Sequence, residues 1–146
     1  PNPDSILSYA ERSRLFNLPG SSWADYNPEF LSAGGGVFSR SASTIPLSPQ
    51  VQALLGLDNS IHQISPAELI ALLLKAPVDL LWFGGVGTFV KASEEWNQDI
   101  HDPQNDTVRI NAHQIKAKVI GEGANLALTQ QARIEYALQG GCLNTD

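Results

Sequence analysis

The sequence predicts an α/β fold organised around a parallel sheet, and three observations carry that expectation. Residues 78–83 (Val78, Asp79, Leu80, Leu81, Trp82, Phe83) and residues 117–120 (Ala117, Lys118, Val119, Ile120) are short, nearly continuous apolar runs. That is the pattern of strands buried on both faces. Each run ends in glycines, and helical patterns lie before the first and after the second. Helix, strand, linker, strand, helix is the order of parallel crossover units.

Taken in order, Asp4 can cap a helix over residues 5–15, where Ile6, Leu7, Ala10 and Arg14 recur at helical spacing and Pro19 and Gly20 end the pattern. Residues 21–44 are rich in Ser and Gly, which favours loops and short turns. Ser48 before Pro49 starts a short helix that Gly56 stops at Leu55, because the hydroxyl caps an orphan amide and proline lacks the donor that would go unused. Ser65, Pro66 and Glu68 repeat that signal as a capping box ahead of Leu69, Ile70, Leu72, Leu73 and Leu74. After the second strand and the turn Gly121, Glu122, Gly123, a last helix over residues 129–138 is stopped by Gly140 and Gly141. The expected organisation is a single partial domain over residues 1–146. Residues 1–60 are loop-rich with short helices, and residues 61–146 carry the crossover units.

Composition narrows the function. The 146 residues are 42% hydrophobic and 16% charged, as in an ordinary globular domain. No apolar run approaches the ~20 residues needed to span a bilayer, so a membrane is not an expected partner. The single cysteine, Cys142, cannot pair within the chain, and a cytoplasmic setting fits best. With a formal charge of −6 and no cluster of Lys or Arg, the chain lacks the cationic footprint of a nucleic-acid binder. It begins at Pro1 and contains no methionine, so it reads as a piece cut from a longer protein.

Three glycine clusters stand out as possible chemistry. Gly84, Gly85, Val86, Gly87 directly follow the first strand and resemble the start of a dinucleotide fingerprint, but the third glycine is replaced by Val90 and no long helix follows. Ligands of open parallel sheets bind beyond the carboxyl ends of strands, where Gly84 and Gly85 would let a flat ring approach the backbone. Gly121, Glu122, Gly123, Ala124, Asn125 sit at the equivalent place after the second strand, and the Asn125 amide offers both a donor and an acceptor. For each cluster a plain strand-ending turn carries about equal weight on spacing alone. Gly34, Gly35, Gly36, followed by Ser39 and Arg40, have the makings of an anion-binding nest or else of a floppy connector.

Other chemistries are poorly supported. His62, His101 and His113 have no metal-ligand spacing, and no metal is expected. No G-x-S-x-G elbow or Walker pattern is present. Glu94, Glu95, Asp99, Asp102 and Asp106 are expected to form a solvated acidic loop.

The run Asn111, Ala112, His113, Gln114, Ile115, Lys116, Ala117, Lys118, Val119, Ile120, with the following Gly121 to Asn125, resembles the strand and "EGAN" turn of the glutamate dehydrogenase coenzyme domain. Residues 32–49 (SAGGGVFSRSASTIPLSP), residues 134–146 (IEYALQGGCLNTD) and the glycines after Phe83 are similar to the large bacterial NAD-dependent class. The resemblance covers nearly the whole chain. It departs from the smaller enzymes at Gly84 and Gly85, where they carry Ala-Ala.

The resemblance implies a partial Rossmann-like sheet, the C-terminal half of a dinucleotide-binding domain, from an enzyme that interconverts L-glutamate with 2-oxoglutarate and ammonium. NAD would be the cofactor and the parent a homo-oligomer. Gly84, Gly85, Glu122, Gly123 and Asn125 would line the cofactor, with Asn125 on the nicotinamide-side ribose. The phosphate fingerprint and the catalytic lysines and aspartate would precede Pro1, and a substrate-binding serine would follow Asp146. No catalytic residue is then expected within the chain, and the piece alone should be inactive. Ser39, Arg40 and Lys91 stay as candidates for substrate contact. The alternative is a noncatalytic module that binds an anion or a protein partner through the Gly34 to Arg40 loop.

Overall fold

A computed structural model describes residues 2–124 and 126–145, arranged as two compact units, Pro1–Pro66 and Ala67–Asp146.

In the first unit, helix α1 (Ser5–Phe16) is capped by Asp4, whose Oδ1 accepts from the amides of Ile6 and Leu7, each at 2.9 Å. Its buried side is Ser8, Glu11 and Leu15. Glu11 is the anchor of this unit. Its Oε1 accepts from Arg14 Nη2 at 2.6 Å and from the amide of Asn27 at 2.7 Å, and its Oε2 accepts from Arg14 Nε at 2.8 Å. These bonds, Arg14 foremost, hold the carboxyl at about 2, well below the usual carboxylate range. Arg14 Nη2 also donates to the Asp25 carbonyl, tying α1 to two short 3-10 turns at Trp23–Asp25 and Pro28–Phe30. Strand β1 (Ile45–Pro46) pairs antiparallel with β2 (Gln63–Ile64). Between them α2 (Pro49–Leu55) runs from its Ser48 cap to Gly56, which takes the left-handed φ of 65° that the stop requires.

In the second unit, α3 (Pro66–Leu74), whose first residue closes the preceding unit, leads into β3 (Leu80–Phe83). A short strand β4 (Val90–Lys91), a single turn α4 (Asn97–Ile100), and β5 (Ile110–Asn111) follow. Then come β6 (Val119–Glu122), α5 (Gln130–Leu138) and β7 (Cys142–Thr145). The sheet order is β3-β6-β7, with both pairings parallel, and β4 pairs parallel with β5. The expected α/β class with a parallel sheet is present.

The core gathers residues from every layer of this unit: Phe83 and Ile120 from the sheet, Val90 and Ile110 from the small pair, Leu128, and Ala132 and Tyr136 from α5. Alternation places Leu81, Phe83, Ile120 and Leu143 on the covered face. Tyr136 reaches under the sheet so that its hydroxyl donates to the Ala117 carbonyl at 2.8 Å.

Two strand expectations are corrected. The first strand begins at Leu80 rather than Val78, and it is not buried on both faces, since Leu80 is 56% and Trp82 63% exposed. Asp79 instead makes an exposed ion pair with Lys118 at 2.7 Å. The second strand lies two residues later than expected, at Val119–Glu122, so Gly121 and Glu122 belong to the strand and not to the turn. A charged residue suits a strand end here because its carboxylate meets a guanidinium inside the unit. Strand β7 was not anticipated, because CLNT carries no apolar run.

Candidate functional site

Because β3 and β6 are parallel neighbours in register, with Trp82 opposite Gly121 and Phe83 opposite Glu122, their carboxyl ends lie side by side. The chain leaves β3 through Gly84 and Gly85 and leaves β6 through Gly123, whose amide donates to the Phe83 carbonyl at 2.9 Å. Four of the five residues expected to line the cofactor are thus brought to one end of the sheet. The fifth, Asn125, lies outside the described residues.

The glycines differ in what they make room for. The Trp82 indole lies over Gly121 and Gly123: a Cβ on Gly121 would stand 2.5 Å from its Cε3, and one on Gly123 would stand 2.6 Å from its Cζ2. Gly84 would meet the indole nitrogen at 3.1 Å. At Gly85 nothing stands within 4 Å, so no neighbour within the chain demands a glycine there. A bare backbone facing open space is what a flat ligand ring needs for close approach.

Glu122, also expected at the cofactor, has its carboxylate turned inward. Oε1 accepts from Arg133 Nε at 2.9 Å, and Oε2 accepts from Arg133 Nη2 at 3.1 Å and from the amide of Leu128 at 3.1 Å. The residue is 2% exposed. A parallel two-nitrogen pairing of this kind is strong and geometrically restrictive. The far side of the same turn is held from β4, where the amides of Phe89 and Val90 both donate to the Ala127 carbonyl and Thr88 Oγ1 donates to the Leu126 carbonyl at 2.8 Å.

Thr88 is itself gripped. Its amide donates to Asp102 Oδ2 at 2.8 Å, and its carbonyl accepts from Arg109 Nε at 2.9 Å. The Arg109 side chain is fully buried and also donates to the Asp102 carbonyl at 2.6 Å and to the Asp106 carboxylate. The Asn105 amide, then the Thr88 amide, hold the Asp102 carboxyl below its usual value. The expected acidic loop is therefore corrected at Asp102, Asp106 and Glu95. Glu95 accepts from the Ala92 amide at 2.7 Å and from the Thr129 hydroxyl that caps α5. Glu94 and Asp99 are exposed as expected. Thr88, Arg109 and Arg133 were not singled out from the sequence; the usable signal was Arg109 lying three residues after Asp106 and seven after Asp102, a spacing open to a shared clamp.

The remaining candidates sit apart from this cluster. Lys91 Nζ donates to the carbonyls of Ala92 and Glu95, at 3.3 and 2.9 Å. In the first unit Ser39 Oγ lies 2.7 Å from Ser41 Oγ, and Arg40 is exposed. The Gly34 loop has much of its hydrogen bonding satisfied internally: the Gly35 amide donates to the Ser32 carbonyl, and the Gly34 carbonyl accepts from Ser48 Oγ. Ser93, His113 and Glu135 do meet, but the Ser93 hydroxyl lies 2.7 Å from Glu135 Oε1 and donates to it, so the serine proton points to the acid and not to the imidazole. That order does not activate a nucleophile. Among the described residues no group of His, Cys, Asp and Glu can hold a metal ion, and no helix is long and apolar enough to cross a membrane.

The family described as "Bacterial NAD-glutamate dehydrogenase, catalytic domain" matches residues 1–146, the whole chain. The chain belongs to that family. It is 53% identical over 146 residues to the NAD-specific glutamate dehydrogenase of Pseudomonas aeruginosa and 53% identical over 150 residues to that of Mycobacterium tuberculosis. It is 48% identical over 146 residues to that of Halomonas elongata. Each comparison covers 100% of this chain and 9% of the relative. The chain thus spans about a tenth of the length of these bacterial NAD-glutamate dehydrogenases, within their catalytic domain.

Proposed function

We propose that this chain forms the nicotinamide-side wall of the coenzyme cleft in an NAD-dependent glutamate dehydrogenase, as a partial Rossmann-type NAD-binding domain. The parent protein interconverts L-glutamate with 2-oxoglutarate and ammonium in the cytoplasm, as a homo-oligomer. The observation that carries this reading is the parallel pairing of β3 and β6, whose exits through Gly84 and Gly123 share one end of the sheet, with open space at Gly85; ligands of open parallel sheets bind beyond such strand ends. Membership in the NAD-glutamate dehydrogenase family supplies the chemistry expected there.

In this reading the backbone at Gly84, Gly85 and Gly123 presents a flat surface to the cofactor, and Asn125 contacts its ribose. NAD, when bound, supplies an electron-poor ring able to take a hydride from the carbon that bears the substrate amine. In this reading the residues of this chain bind and orient the cofactor. Ser39, Arg40 and Lys91 are retained as candidates for substrate contact elsewhere on the chain.

The test is made on the full-length enzyme. Gly85→Val places a branched side chain in the open space and should raise KM for NAD about tenfold or more, with KM for glutamate little changed. Unaltered NAD affinity and turnover in both Gly85→Val and Asn125→Ala would refute the assignment.

A further inference from the structure

The most constrained feature at the strand ends is a side chain that faces away from them. Glu122 closes β6, yet its carboxylate accepts from the Leu128 amide six residues later and from two nitrogens of Arg133 on the first turns of α5. The Glu122 side chain is fully buried and that of Arg133 is 19% exposed. One carboxylate therefore ties the end of β6 to the Leu128 amide and to α5.

We propose that Glu122 and Arg133 are positioning residues for the cofactor: they set where the described ends of the turn after β6, Gly123 and Leu126 to Leu128, stand, and do not themselves touch the ligand. This rests on the reading of that turn as part of the cofactor wall. It assigns Glu122 a different task from the direct contact its place in the "EGAN" run implies, and it brings in Arg133, which no motif marks.

The geometry favours positioning over mere stabilisation for two reasons. First, the elements beside the pair have anchors of their own, since Ile120, Val90 and Leu128 are fully buried and Thr129 caps α5. Second, the turn is gripped at three successive residues from two sides, at the Leu126 and Ala127 carbonyls from Thr88, Phe89 and Val90 and at the Leu128 amide from Glu122. Releasing the Glu122 side frees the turn to shift while the opposite side holds it to the unit.

The experiment uses the full-length enzyme with NAD and glutamate as probes. Arg133→Met keeps the length of the side chain and removes its donors; a buried carboxylate without its partner is costly, so the Leu128 anchor loosens as well. Expected is a rise of about tenfold in KM for NAD and in the Kd for NAD read by titration calorimetry, with KM for glutamate within about twofold, since small misplacements act on the group they misplace. Arg133→Lys should recover part of the loss, and Glu122→Gln, which keeps an acceptor for the Leu128 amide, should be milder than Arg133→Met.

An unchanged KM for NAD in Arg133→Met overturns the proposal. So does a parallel loss of both KM values, kcat and the thermal midpoint, which marks a purely structural pair. Asn125→Ala separates the two readings: if it raises KM for NAD while Arg133→Met does not, only the positioning claim fails, and if neither variant has an effect, the cofactor wall itself is misassigned.

Discussion

Trp82 and Gly121 face each other across β3 and β6, and the indole fills the volume that a side chain at Gly121 would need. A Cβ there would stand 2.5 Å from Cε3, so Gly121→Ala must push the ring off the sheet. The displacement should appear as faster amide exchange across Val119–Glu122 in the full-length enzyme. Because Trp82 is 63% exposed, the ring has somewhere to go, and Gly121→Ala combined with Trp82→Ala should exchange nearly as slowly as Trp82→Ala alone. Equal exchange in Gly121→Ala and the unmodified enzyme would show that the indole does not rest on this glycine.

Arg109 is the next point of weakness. Its buried guanidinium serves the Thr88 carbonyl, the Asp102 carbonyl and the Asp106 carboxylate together. Replacing it with methionine leaves the Thr88 and Asp102 carbonyls without that donor and takes the cation from two part-exposed carboxylates, a loss of about 1–3 kcal/mol for acceptors left unmade. Limited proteolysis should then cut within residues 99–109, where the unmodified protein resists. Resistance equal to the parent would mean the clamp contributes little.

Acid should loosen the first unit from a defined place. The Glu11 carboxyl is held at about 2, against an ordinary value of 4.5. A group with a depressed folded value stabilises fully above its unfolded value and loses that contribution as pH falls through the folded one. Between about pH 4.5 and 2 the contacts from Glu11 to Arg14 and Asn27 should therefore weaken, read as growing exchange of the Asn27 amide relative to amides of the second unit. Glu11→Gln should flatten that pH dependence. A pH response unaltered by the substitution would place the acid-sensitive group elsewhere.

Tyr136 offers a smaller, cleaner change. Removing its hydroxyl in Tyr136→Phe leaves the Ala117 carbonyl without that donor, at a cost of about 1–3 kcal/mol for a buried acceptor left unmade. The expected signature is faster exchange in α5 and the start of β6 with NAD affinity unchanged. A drop in NAD affinity of the same size would link this contact to the strand-end turn.

Helix starts were the most legible part of the fold, because a cap is a local event: Asp4 and Ser48 each bond to amides within three residues. Strand bounds were less legible. Gly121 and Glu122 look like a turn in one dimension, and only the indole across the sheet and the guanidinium on α5 make them acceptable in a strand. The same distance limit governs the site. Glycines after apolar runs announce strand ends, which brought Gly84, Gly85 and Gly123 forward. Partners such as Thr88 with Leu126, 38 residues apart, leave no periodic trace. Charge was the most misleading signal, since Asp102, Asp106 and Glu95 read as solvated when written in a row but are structural acceptors once folded.

Leu126 takes a left-handed φ of 56°, a conformation that a branched, non-glycine residue adopts only when its surroundings impose it. Such a residue holds on the order of 1–3 kcal/mol of strain, carried by the folded protein at all times and opposed by the Thr88 hydroxyl at its carbonyl. The backbone at Leu126 is thus set by the contact with Thr88 and not by local preference. A glycine there would take the same φ without that cost, so at Leu126 the fold keeps a side chain where the local backbone alone would favour none.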